Sequence, residues 1–174
     1  MSTLNGLPAH ILLVHAIVVL LPLAAGLLVL TAVWPSARRR LAGPNLLLSL
    51  VVLVLVPVTT DAGEWLERRV PANELLRDHT ELGDTALFVT VPVVVLALIV
   101  WWRAREESTG AGVAGSRRLL LAPASKAVTI VIAVIAVLVA GAAVYDTYRI
   151  GDSGAKASWT GNFTSTPTNG PGGR

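Results

Sequence analysis

The chain contains no cysteine. That excludes disulfides, thiolate-held metals, iron–sulfur clusters and covalently attached c-type haem. Charge is scarce too: 14% of the 174 residues are Asp, Glu, Lys or Arg, against about 25% in ordinary soluble domains. Lysine is nearly missing, with two against twelve arginines, a bias that fits a GC-rich bacterial genome. There is no phosphate-binding glycine loop, no dinucleotide fingerprint and no nucleophile paired with a base, so nothing here points to an enzyme. The basic pI near 10 does not signal nucleic acid, because the arginines flank apolar runs instead of forming a basic face with aromatic platforms.

What remains is apolar. The composition is 53% hydrophobic with mean hydropathy +0.67, which defines a polytopic membrane protein. Four runs are long enough for a bilayer core that needs about 20 residues: about 11–34, 41–60, 85–102 and 127–145. The first is too long for a signal-peptide core and lacks a basic leading region, so no cleavage is expected. Pro22 and Pro92 should bend their helices, which is tolerated where neighbours cover the freed carbonyls. Gly43-Pro44 reads as a break before the second span. Ala136 and Ala140 have the spacing of close helix approach, within the bundle or between copies.

Charge sets the orientation. Arg38, Arg39 and Arg40 follow the first span, and no Lys or Arg precedes it. Under the positive-inside rule the loops after spans one and three are cytoplasmic. They hold eight Lys/Arg and two Glu, and the remaining segments hold six Lys/Arg and nine Asp/Glu. Both termini are therefore expected outside. Asp61 is an unfavourable residue at a helix C-terminus and reads better as the cap of a separate interfacial helix, Ala62–Val70, ended by Pro71. Asn73 then caps a second helical stretch that runs through His79 into the third span. Leu75, Leu76, His79, Leu82, Gly83, Ala86 and Thr90 recur at spacings of three and four, so His79 lies on the inward stripe. Residues 158–174, rich in Gly, Thr, Ser, Asn and Pro, read as a disordered tail after a transmembrane domain of residues 1–157. The fold expected is an all-α integral membrane four-helix bundle with a short amphipathic outer-loop helix.

Chemistry can only sit at the outer end. The inner halves of the spans carry no His, Asp, Glu, Lys or Arg, which argues against a proton relay, an ion-coupled transporter or a voltage sensor. His10 opens the first span, and His15 lies five residues on, roughly 7 Å deeper. Five residues turn the helix by about 140°, so one ring faces the bundle and the other its rim. Three readings compete. A haem b could be held by His79 with His15 or His10, with Gly83 and Gly63 giving the porphyrin room and Arg68, Arg69 or Arg77 meeting propionates. A divalent metal could be held by His10, His15, His79 and Glu64, though no HxxxH spacing supports it. The third reading is structural, with the imidazoles satisfying backbone or headgroups.

Several short motifs occur in order: Pro8-x-His10-x4-His15, Trp34-Pro35 before the arginines, His79-x3-Gly83 entering the third span, and Gly151-Asp152-Ser153-Gly154-Ala155 with Trp159 after the fourth. Together the chain resembles the bacterial four-helix membrane family catalogued as domain of unknown function 2231, over most of residues 8–159. Relatives often carry Pro soon after each first-helix His, where Ile11 and Ile17 stand here. The resemblance implies four spans and a bacterial inner membrane. That some relatives occur with redox domains is an analogy that favours haem. Residues 151–155 have turn chemistry, with folding back over the histidines as the alternative. The expected protein is thus an accessory membrane component with a haem b and a redox partner. The alternatives are a cofactor-free assembly subunit and a metal-binding protein; lipid is the surrounding partner in each case.

Overall fold

The computed structural model describes residues 3–4, 6–110 and 126–164. A two-residue antiparallel pair, β1 (Thr3–Leu4) and β2 (Leu7–Pro8), precedes five helices: α1 (Ala9–Val33), α2 (Pro35–Glu67), α3 (Glu74–Gly83), α4 (Thr85–Gly110) and α5 (Lys126–Trp159). Four helical segments, with α3 and α4 counted as one, are long and apolar enough to cross a membrane. They match the expected spans in number, but the helices run longer than the apolar runs alone suggest.

The link between α1 and α2 is a single residue. Trp34 takes an extended conformation (φ −112°, ψ 110°), the one favoured for a residue before proline. Pro35 then occupies the first position of α2, where its missing N–H costs nothing and its fixed φ suits a helix. Residues 35–40, expected as a loop, are the first turns of α2.

Gly43-Pro44 does not break the chain; α2 is helical through Pro44 and Pro57. The clash that usually ends a helix before proline involves the preceding Cβ, which Gly43 lacks, and Gly43 packs on Trp101 instead. Nor does Asp61 start a new helix. The buried residues Arg38, Ala42, Asn45, Ser49, Val52, Val56, Thr59 and Ala62 form one stripe at steps of four and three. It passes under Asp61, and contacts on that stripe keep the segment helical. The expected interfacial helix at 62–70 is therefore the end of α2. Arg69 lies over the Trp65 ring at 3.9 Å, and the chain leaves the helix through a turn at Arg68–Val70.

Asn73 caps α3 as expected, its side chain accepting from Leu76 N at 2.8 Å. The stretch into the third span is interrupted once, at Asp84. There the Thr85 hydroxyl donates to Leu82 O at 2.6 Å and also faces both carboxylate oxygens of Asp146, drawing a carbonyl out of the regular ladder.

The core is built from small residues and a few larger ones: Leu21, Ala24, Ala25 and Leu28 of α1, Val52 and Val56 of α2, Val93, Ala97 and Val100 of α4, and Ala136, Ala140 and Ala143 of α5. The α5 alanines thus face into the bundle. Val19, Val54, Phe88 and Leu138 point outward, the arrangement of a bundle with apolar surroundings. Two buried threonine hydroxyls bond within their own helices, Thr31 to Leu27 O at 2.8 Å and Thr90 to Ala86 O at 2.7 Å.

At the far end from the histidines, Arg38 and Arg103 are buried, with 5% or less of each exposed. Both guanidiniums reach Glu107 at 3.3 Å. Arg38 also donates to Ala32 O, in the last turn of α1, at 3.2 Å, where the helix dipole favours a cation. Arg103 donates to Thr129 Oγ1 at 2.6 Å, tying α4 to α5.

Because Ala136 is fully buried in the core, Ala136→Leu should overpack it and destabilise the bundle by about 1–3 kcal/mol. Leu138→Ala, at a position 67% exposed on the same helix, should leave stability nearly unchanged. Thermal unfolding in detergent compares the two.

Candidate histidine site

Two imidazoles meet at one end of the bundle. His10 sits in the first turn of α1, where the chain has just left the β1–β2 turn, and its Nδ1 lies 3.0 Å from Thr59 O on α2. A carbonyl only accepts, so Nδ1 carries the proton. His79, on α3, has its Nδ1 3.0 Å from Ser153 Oγ on α5. The Ser153 hydroxyl spends its own proton on Ile150 O at 2.9 Å, so it accepts from His79, and Nδ1 is again the protonated nitrogen. Each ring thereby keeps Nε2 outside these two hydrogen bonds, and in a neutral ring that nitrogen holds the lone pair. The ring centroids are 6.3 Å apart with planes at 76°.

Both rings are seated on glycine. A Cβ at Gly63 would come within 2.9 Å of His10 Nδ1, and one at Gly154 within 2.9 Å of His79 Cε1. Two helices therefore approach the rings with bare backbone, α2 under His10 and α5 under His79. His79 belongs to α3, ahead of the apolar stretch of α4.

The sequence-predicted residues divide. His79 and His10 come together. His15 does not join them: it is exposed and its Nδ1 turns back to Ile11 O of its own helix. The bundle-facing first-helix ring is His10. With α1 helical from Ala9 onward, the 140° between the two positions sends His15 to the rim. A Cβ placed on Gly83 would meet nothing within 4 Å, whereas Gly63 seats His10, so the two glycines do not frame a common slot. Glu64 is exposed and pairs with Arg68 at 3.7 Å, away from the imidazoles. Among the described residues no group of three His, Cys, Asp or Glu is arranged to hold a metal ion.

Residues 151–155 are helical, not the turn expected; Ser153 and Gly154 lie against His79, the contact that the alternative of folding back over the histidines anticipated, reached here by a continuous helix. The signal was present: Ala136, Ala140, Ala143, Thr147, Ile150 and Gly154 step by four and three without interruption, and α5 simply continues along that stripe to Trp159. Asp146, expected beyond the membrane segment, is likewise buried on this helix, beside Thr85.

The donor set suits haem iron, since two neutral imidazoles with their other nitrogens already bonded are well-oriented axial ligands. The surroundings suit it less. A macrocycle lying between the rings would extend several ångströms to every side, and the backbones at Gly63 and Gly154 already close on the ring edges. A cavity of about 240 Å³ between α3 and α5 is lined by Leu75, Asp78, Tyr148, Arg149, Asp152 and Lys156 among others, and neither imidazole is part of its lining. It is charged, and smaller than the roughly 300–1,000 Å³ of ordinary ligand pockets.

These features define a class: a four-helix membrane protein with a paired-imidazole centre at one end. The family model described as predicted membrane protein (DUF2231) matches residues 6–167, and the chain belongs to that family. No curated protein and no solved structure matches it.

The glycines give a paired test. Gly151 has open space around it, so Gly151→Ala in α5 should stabilise the helix by about 0.5–1 kcal/mol. Gly154→Ala should instead displace the His79 ring and lower stability, despite the same gain in helix propensity. Unfolding midpoints measured side by side check the sign of each.

Proposed function

We propose that this protein is a non-catalytic component of a bacterial inner membrane whose paired imidazoles, His10 and His79, hold a transition-metal centre in an accessory redox or metal-handling role. One observation carries the reading. Both Nδ1–H groups are spent on protein acceptors, Thr59 O and Ser153 Oγ, which leaves two Nε2 lone pairs on rings 6.3 Å apart. This is the outer-shell arrangement that fixes the tautomer and orientation of metal-binding histidines. Haem b is one centre such a pair can take, its chemistry being one-electron transfer; the bare backbone at Gly63 and Gly154 favours something smaller. The arginine excess on the loops opposite the histidines supports a site on the outer face.

A second reading has its own observation. The same two hydrogen bonds join α1 to α2 and α3 to α5, so the histidines can act purely as a clasp in a cofactor-free assembly subunit.

Metal analysis and an absorption spectrum, oxidised and reduced, separate the two on detergent-purified full-length protein. The proposal expects a stoichiometric transition metal that is lost in His79→Asn and kept in His15→Asn. Metal-free protein that only loses thermal stability on substitution, and that co-purifies with a membrane partner, supports the clasp. For orientation, the cysteine-free chain allows single cysteines at Ser36 and Thr80. They should be labelled from the cytoplasmic side and from outside respectively, and the reverse pattern moves the site to the cytoplasmic face.

A further inference from the structure

We infer that the paired imidazoles form a two-coordinate site for a monovalent copper ion, Cu(I), held between the Nε2 atoms of His10 and His79. The inference rests on the reading of the pair as a metal site and names the ion. Three observations lead to it.

The first is separation. Two imidazoles bound to one ion at about 2.0 Å, each ring centroid about 1.1 Å behind its nitrogen, stand roughly 6.2 Å apart when opposite and roughly 5 Å apart at a tetrahedral angle. The observed 6.3 Å matches the opposed arrangement. The planes are free to take any twist about that line, so 76° is compatible with it.

The second is coordination number. Zinc in a structural site takes four protein ligands, and in a catalytic site three. Among the described residues no third His, Cys, Asp or Glu joins the pair. Two nearby carboxylates are engaged with cations of their own helices: Glu64 pairs with Arg68, and Asp152 with Lys156 at 2.6 Å. A filled-shell monovalent ion is satisfied by two nitrogens in line, and imidazole is among the ligands that suit copper. No carboxylate is then needed, because a single positive charge demands less neutralisation than a divalent one.

The third is space and hydrogen bonding. A bare ion fits between rings that glycine backbones hold at their edges, where a macrocycle would meet α2 and α5. Thr59 O and Ser153 Oγ each hold an Nδ1, so Nε2 is the nitrogen left to coordinate in each ring, and binding forms two nitrogen–copper bonds. The ion enters already reduced, and no electron transfer is part of the step.

The test is an anaerobic competition titration of the detergent-purified full chain against bicinchoninate-bound Cu(I), followed by copper K-edge absorption spectroscopy. Asparagine replaces histidine in the variants, since its amide can keep the Nδ1-type donor bond while removing Nε2; circular dichroism confirms that each is folded. The expected result is one Cu(I) per chain with two nitrogen neighbours, at least about a tenfold loss of affinity in His10→Asn and in His79→Asn, and no change in His15→Asn. Binding of haem through His79, with no copper withdrawn from bicinchoninate, overturns the copper assignment and keeps the paired-imidazole reading. Four-coordinate zinc at the pair, bound in preference to Cu(I), overturns it likewise. Folded wild type that takes none of copper, zinc or haem overturns both.

Discussion

A peptide group facing hydrocarbon has no water to bond, so each must find its partner inside the chain. Every other feature of this protein follows from that demand. It makes long unbroken helices cheaper than the loops that Gly and Pro would encourage in water. Pro22, Pro44, Pro57 and Pro92 are all carried inside helices, and the connection between α1 and α2 shrinks to Trp34. Threonine hydroxyls follow the same rule, turning back to carbonyls of their own helices instead of remaining unpaired. With backbone satisfied, packing selects small residues for the interior and leaves branched aliphatics for the outside.

The two ends solve a different problem, which is how to lock helices where water begins. At one end the lock is ionic: Arg38 and Arg103 share Glu107, and each guanidinium also reaches a second helix. Removing the carboxylate would strand two buried cations, a costlier defect than losing either pair alone. At the other end the lock is made of hydrogen bonds, from His10 and His79 to a carbonyl and a hydroxyl, over glycine seats. Each ring keeps its second nitrogen outside those bonds, and that difference is why the histidine end, and not the arginine end, carries the functional reading.

Four apolar runs, their order and the capped entry at Asn73 were legible in the sequence, because hydrophobic length and capping chemistry act locally. So was the inward position of His79, from the stripe of Leu75, Leu76 and Leu82. Local signals failed where tertiary contact overrode them. Gly43-Pro44 and Gly151–Ala155 look like turns residue by residue, yet stripes of buried and half-buried positions at steps of four and three run straight past them. Reading the stripe before the punctuation would have kept α2 and α5 whole. Choosing His10 over His15 was beyond periodicity alone, since it depended on where the first helical turn begins, and the Ser153 and Gly154 seat depended on α5 being whole.

The route of α5 has a consequence for how the protein is made. His10 and His79 emerge from the ribosome well before Ser153 and Gly154, since chains are synthesised and fold from the N-terminus onward. Until α5 has been threaded into place, His79 lacks both the hydroxyl that fixes its tautomer and the backbone that seats its ring. The centre therefore comes into being last, when the fourth crossing is complete. A half-inserted chain therefore has the two histidines but not the finished seat of His79.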